Sequence, residues 1–239
     1  MIYPNNKGVA IMGEQGFIGK ALSKLDLPEG VYFFDSPSSG VLFDKDLDYC
    51  VSQTLNDLIH VLKYCRDHNK YLVYPSSATV YNKNTNYAHC KAAVEEIVAC
   101  YPMVKSIGLR ISAGYGPGEV HKGEYASVVY QWCKEMKAGK SPVIFGDGTQ
   151  TRDFIYEDDI AAAIQALAQD KVTGIIDIGT GVNTSFNQVV ATINKVLGTD
   201  IKPTYVPKPK NYVPETVVQP VPFCKVSLEE GIRKIIATL

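Results

Sequence analysis

No run of apolar residues in this chain approaches the roughly 20 needed to cross a bilayer, so nothing in it argues for a membrane span. An excess of one charge is missing too. With 24 Lys and Arg against 25 Asp and Glu, the net charge of −1 offers no electrostatic hold on nucleic acid or an anionic membrane surface. The six cysteines, at 50, 65, 90, 100, 133 and 224, show no C-x-x-C spacing. That argues against a zinc site or a disulfide frame, so reduced thiols and no metal are expected. Internal repeats and low-complexity tracts are lacking, and the nearest thing to a linker is the proline-rich stretch Pro203–Pro222. The opening MIYPNNKG does not have the pattern of a secretory signal, and a cytoplasmic protein is expected. What is present is ordinary for a globular enzyme: 239 residues, 46% hydrophobic and 21% charged. Such a chain can bury one large core, or one core plus a small lobe.

Two stretches carry chemistry. The first begins with a short buried strand, Gly8–Met12, and runs through Gly13-Glu-Gln-Gly16-Phe17-Ile18-Gly19 into a helix reaching to about Leu25. Glycines three apart between strand and helix let the backbone turn tightly and approach a pyrophosphate. A second strand, Val31–Phe34, ends in Asp35, twenty-two residues after Gly13, followed by Ser36. A carboxylate there can accept hydrogen bonds from ribose hydroxyls and would repel a 2′-phosphate. Ser36–Leu42 contains no Lys or Arg, which favours NAD over NADP.

The second stretch is Tyr74–Lys91, YPSSATVYNKNTNYAHCK. The apolar run Tyr71–Tyr74 reads as a buried strand that stops at Pro75 and delivers Ser76 and Ser77 to the carboxyl edge of a sheet. Tyr87 and Lys91 stand four apart in a good helix former, so phenol and ammonium share one face. A phenol of pKa about 10 is a poor base at neutral pH, and a nearby cation favours its ionised form. Ser77 could hydrogen-bond the same substrate oxygen. Tyr-x-x-x-Lys alone is a common solvated pair in a chain with 15 Tyr. Its weight here comes from the order: glycine turn, Ser-Ser strand, then Tyr-x-x-x-Lys.

In that order the chain resembles the extended short-chain dehydrogenase/reductase family, the nucleotide-sugar epimerases and dehydratases. The resemblance continues through Arg110-Ile-Ser-Ala-Gly-Tyr-Gly-Pro117 and through Gly139–Ile160, which holds Arg152-Asp-Phe154. It implies an α/β, Rossmann-type doubly wound parallel sheet with a small C-terminal substrate-binding lobe. The NAD-binding part would comprise 1–115 with 147–185, the lobe 116–146 and 186–239. It also implies NAD as cofactor at Gly13, Gly16, Phe17, Ile18, Gly19, Asp35, Ser36, Tyr87 and Lys91. Ser77, Tyr87 and Lys91 would be catalytic. His121-Lys122-Gly123 is similar to the loop of the ADP-glyceromanno-heptose 6-epimerases that carries a second base, a role that would fall to Lys122. Val143 and Phe145 would lie against the nucleotide base, Arg152 would reach the pyrophosphate, and the partners implied are a nucleotide sugar and a second copy of the chain.

The chain also departs from that pattern. From Asp35 it passes through SPSSGVLFDKDL almost directly into an apolar helix, about Tyr49–Asp67, where relatives carry a third strand, a helix and a fourth strand. Ten extended residues span up to about 35 Å, enough to cross the top of the sheet. Two strands are therefore expected to be missing, with Val41–Phe43 a crossing segment or the stub of a strand and the adenine side of the pocket more open. Ala113 replaces the Asn that relatives aim at the sugar nucleotide. Ser76-Ser77-Ala-Thr79 lacks the Asp-Glu pair of sugar 4,6-dehydratases, which argues against elimination of water. Asp153 and Asp158 read as turn and cap residues for a helix Asp159–Ala168. The favoured expectation is an NAD-dependent nucleotide-sugar epimerase. The rivals are a sugar-nucleotide reductase and a non-catalytic dinucleotide- or sugar-nucleotide-binding protein.

Overall fold

The structure is a computed structural model that describes residues 2–209, 213–216 and 218–239. In chain order its first half contains β1 (Val9–Met12), α1 (Phe17–Leu22), β2 (Gly30–Phe33), α2 (Gly40–Lys45), α3 (Leu47–Asp67), β3 (Leu72–Ser77), α4 (Asn86–Ala99), β4 (Ser106–Ile111) and β5 (Ala113–Tyr115). The second half contains α5 (Val128–Lys137), β6 (Val143–Phe145), β7 (Thr151–Tyr156), α6 (Glu157–Gln169), β8 (Gly174–Ile178), β9 (Asn183–Ser185), α7 (Phe186–Leu197), β10 (Thr204–Val206), β11 (Glu215–Thr216) and α8 (Leu228–Thr238).

Five parallel strands form the central sheet in the order β1-β2-β3-β4-β8. Their apolar runs are nearly continuous because helices cover both faces. Val31, Phe33 and Leu72 point to one face, against Leu58, Val61 and Leu62 of α3 and Val94 of α4. Tyr32 and Val73 point to the other, against Phe17 and Leu22 of α1 and Ile160 and Ile164 of α6. Each fully buried side chain of that size stabilises the fold by roughly 1.5–3 kcal/mol relative to exposure. The sheet is thus α/β and Rossmann-like, and it is short.

Its strand order differs from the usual Rossmann arrangement, in which the first strand is central and the order reverses beside it. Here β1 is the edge, and β2 lies between β1 and β3. The steps β1 to β2 and β2 to β3 go the same way across the sheet, yet α1 and α3 pass over opposite faces. The two crossovers therefore have opposite hands, and one of them is of the rare left-handed kind. For the site, the consequence is that the carboxyl end of β2 stands directly between the glycine turn and the Ser77 strand.

Three expectations are corrected. Strand β3 does not stop at Pro75 but continues to Ser77, with Pro75 opposite Leu109 of β4. Strand β2 pairs with β3 only at Leu72 and Val73, so on that side Pro75 has no ladder bond to lose. Of the two alternatives for Val41–Phe43, the strand stub is excluded, because the segment lies in α2. Both neighbours of β3 are already taken, and a helical turn buries Phe43 completely against Cys50 and Cys90. Asp158 does not cap α6: the cap residue is Tyr156, and Glu157, Asp158 and Asp159 instead put negative charge in the first turn. Asp153 does fix a turn, accepting hydrogen bonds from the Thr180 and Gly181 backbone N–H groups at 2.9 Å each.

Beyond the main sheet, β11-β7-β5 form a small sheet, with β9 on β7, and β10 pairs with β6. Helices α5, α7 and α8 enclose a second core around Tyr115, Trp132, Phe154, Phe186 and Ile232. Strand β7 is the seam: Phe154 and Tyr156 face this second core, and Ile155 faces the first. Among the described residues no helix is long and apolar enough to cross a membrane.

Candidate active site

A cleft of about 1000 Å³ opens at the carboxyl ends of the main strands and continues into the second lobe. That volume is at the top of the range of about 300–1,000 Å³ found for ligand pockets. Its floor starts at the glycine turn. Gly13 has φ +80, and a Cβ on it would lie 2.6 Å from the Phe34 carbonyl oxygen. At Gly19 a Cβ would come within 2.0 Å of the Gly13 carbonyl oxygen, so α1 can pack under the turn only because this residue has no side chain. Gly13, Gly16, Phe17 and Ile18 line the cleft, whereas Gly19 supports the turn from below. Asp35 and Ser36 line it at the end of β2.

Next along the edge comes β3 with Ser77. Its hydroxyl accepts from Thr79 N at 3.3 Å and Thr79 Oγ1 at 3.0 Å, and it shares the cleft with the Tyr87 phenol. The Thr85 side chain caps α4 through Ala88 N at 3.1 Å, which places Tyr87 and Lys91 in its first turns. Lys91 is 1% exposed, and its ammonium donates to Ser36 Oγ at 3.1 Å. Burial pushes that ammonium down to about 8. Ser77, Tyr87 and Lys91 therefore meet in one cleft with the glycine turn.

One detail of the expected chemistry is corrected. Burial pushes the Tyr87 phenol up to about 12, with the nearby Ser77 hydroxyl working to lower it. Lys91 sits 5.7 Å from the Tyr87 ring centre and points its ammonium at Ser36, so it does not lower the phenol here.

The opposite wall comes from the loop Pro117–Tyr125 and the second lobe. Lys122 lies 4.3 Å over the Phe17 ring and pairs with Glu119 at 3.2 Å. Glu119 is 1% exposed and also accepts from Ser127 N at 2.9 Å and from the Ser127 hydroxyl. His121 is held below its ordinary value by burial and by Lys20. Arg152 lines the cleft but spends hydrogen bonds on the carbonyls of Thr151 and Val213, each at 2.7 Å. Phe145 lines the cleft too; Val143, half-exposed on the same face of β6, lies outside it.

Several cleft residues escaped the sequence reading. Leu42, from α2, and Tyr49 and Gln53, from the start of α3, line the cleft. The Thr216 hydroxyl is buried without a hydrogen-bond partner on β11, opposite Arg152. No spacing in the sequence signals any of these, since each reaches the cleft through a contact distant in the chain.

A turn whose Gly13 and Gly19 admit no Cβ, a cleft along the strand ends and a Ser-Tyr-Lys set define a dinucleotide-dependent class of α/β protein. Comparison with known proteins makes this specific: the chain belongs to the NAD dependent epimerase/dehydratase family, whose model matches residues 44–179. The match begins after the glycine turn and Asp35. A putative UDP-glucose 4-epimerase of Methanocaldococcus jannaschii is 33% identical over 174 residues, 66% of this chain. The chain spans just over half, 55%, of that protein's length. Among solved structures, UDP-glucose 4-epimerase from Thermotoga maritima, crystallised with UDP-glucose, superposes with a TM-score of 0.87 at 22% identity, covering 96% of this chain and 97% of that one. The Thermus thermophilus UDP-glucose 4-epimerase in complex with NAD gives 0.84 at 21% identity, with the same coverage. At such identities the likeness carries the fold. NAD is the cofactor of the family, and the residues present fit it. Gly13 and Gly19 have no room for side chains, and the buried Lys91 has donors left for a ribose beyond the one given to Ser36.

Proposed function

We propose that this protein is an NAD-dependent nucleotide-sugar epimerase. The observation that carries the reading is that Ser77, Tyr87 and a fully buried Lys91 line the same cleft as the glycine turn. Gly13, Gly16, Phe17 and Ile18 would hold the pyrophosphate end of NAD, and Asp35, Ser36 and Lys91 its ribose hydroxyls. When bound, NAD supplies a reversible hydride acceptor.

Tyr87 takes the proton of the sugar hydroxyl at its Oη and later returns it. Ser77 donates a hydrogen bond to the oxygen that carries that proton and so holds it in line. The cofactor's positive ring close to the phenol would favour the ionised form that burial alone opposes. Lys122, held in place by Glu119 and Phe17, is the candidate second proton carrier on the opposite wall. Phe145 and Val143 of the lobe would meet the nucleotide base, and Arg152 its phosphates. The lobe 116–146 with 186–239 is thus the substrate-binding part in this reading.

A non-catalytic dinucleotide-binding protein is the second reading, and one observation favours it: the Tyr87 phenol is raised to about 12. One experiment separates the two. Purified protein is given a panel of nucleotide sugars and NAD, and inversion at a sugar carbon is followed by proton NMR with hydride exchange. Tyr87→Phe is expected to lower turnover by about 100- to 10,000-fold while NAD stays bound. A fully active Tyr87→Phe would remove the assignment of the base, and NAD binding with no exchange in the parent would leave only the binding module.

A further inference from the structure

We propose that Phe43, on the helix that replaces the missing strands, is a positioning residue for Tyr87, an inference that rests on the role of Tyr87 proposed above. The Phe43 ring is fully buried and meets the Tyr87 ring edge-on, centroids 5.3 Å apart and planes at 73°. Such T-shaped pairs add about 0.5–1.5 kcal/mol beyond the area they bury, and they prefer one orientation. Phe43, Cys50 and Cys90, with Leu42, Val51 and Tyr87 packed on them, form a small core of their own, apart from the three larger ones. The segment with no counterpart in the family pattern thus makes a contact with the candidate base.

Helix α2 is also tied from the other side. Lys45 at its end donates to the Tyr125 hydroxyl at 3.1 Å and pairs with Glu124 at 3.5 Å across the cleft. The Tyr87 ring thus packs against the Phe43 ring and has the Lys91 ammonium 5.7 Å from its centre, and these contacts set where its oxygen points. The ionisable groups around it are Cys90 and Lys91 of its own helix, with Cys50 of α3 in the same small core.

The test compares the parent with Phe43→Leu, using Phe43→Met, close in volume, as a second variant should the first fold poorly. Tyr87→Phe serves as the reference that isolates one phenol among 15 in an ultraviolet titration. Phe43→Leu is expected to lower kcat by about ten- to a hundredfold with little change in KM. The pH limb and the titration belonging to Tyr87 should move to lower pH as water reaches the phenol. A parental kcat with an unmoved Tyr87 titration would overturn the proposal. So would a loss of activity that merely follows the unfolded fraction. The titration needs no turnover: a Tyr87 shift in a parent that exchanges no hydride would uphold Phe43 and defeat the epimerase reading instead.

Discussion

Lys91 shows how one residue can be costly to the fold and still be kept. Its ammonium is buried, it has Ser36 as a neutral partner, and burial pushes it from 10.5 down to about 8. Between those values the folded chain binds fewer protons than the unfolded one, so the stability of the cofactor-free protein rises as pH climbs from about 8 toward 10.5. Below pH 8 the cost is present in full. Lys91→Met should therefore stabilise the cofactor-free protein at pH 7 by about 1–3 kcal/mol while removing turnover. Urea unfolding at pH 7 and above pH 10 checks this, with the difference shrinking at the higher pH. A variant less stable than the parent at pH 7 would show that the ammonium is better satisfied than its neighbours suggest.

At the scale of elements, the contact between α6 and the loop Pro117–Tyr125 is sensitive to pH. Glu157, in the first turn of α6, is 5% exposed and accepts from Gly118 N at 2.8 Å. Burial pushes its carboxyl from 4.5 up to about 7. Raised in this way, it contributes stability that is fully present below pH 4.5 and lost as pH rises to 7, up to about 3 kcal/mol. In Glu157→Gln, which keeps an oxygen for Gly118 N, urea midpoints measured from pH 5 to 8 should lose that slope. A slope equal to the parent's would assign the pH dependence to other groups. The same loop carries Lys122, so the titration of Glu157 ties the fold's stability to the wall of the cleft.

For the whole molecule, the shortening by two strands leaves α3 and α4 as the cover of one face of the sheet. Leu58, Val61 and Leu62 of α3 are spent on the core, and Val51, Leu55 and Ile59 are half-buried. A homodimer paired through α3 and α4 is the proposed assembly, and light scattering in solution should return twice the mass of the chain. A single-chain mass at micromolar concentration would count against it.

The glycine turn, the Ser-Ser strand and the Tyr-x-x-x-Lys helix could be located from local chemistry. Turn geometry, strand periodicity and i, i+4 spacing are decided by residues a few positions apart. So could the loss of two strands, because a connection of ten residues leaves no room for them. Other features depended on contacts between segments far apart in the chain. These include the position of β2 between β1 and β3, the extension of β3 through Pro75, the folding of Val41–Phe43 into a helix against Tyr87, and the engagement of Arg152 with the carbonyl of Val213. The same is true of the two protonation shifts at the site. Spacing placed Tyr87 and Lys91 on one helix face, but only packing decided how much water each would keep, and loss of water raised one and lowered the other. Spacing therefore determined which groups meet, and burial determined in what charge state they meet.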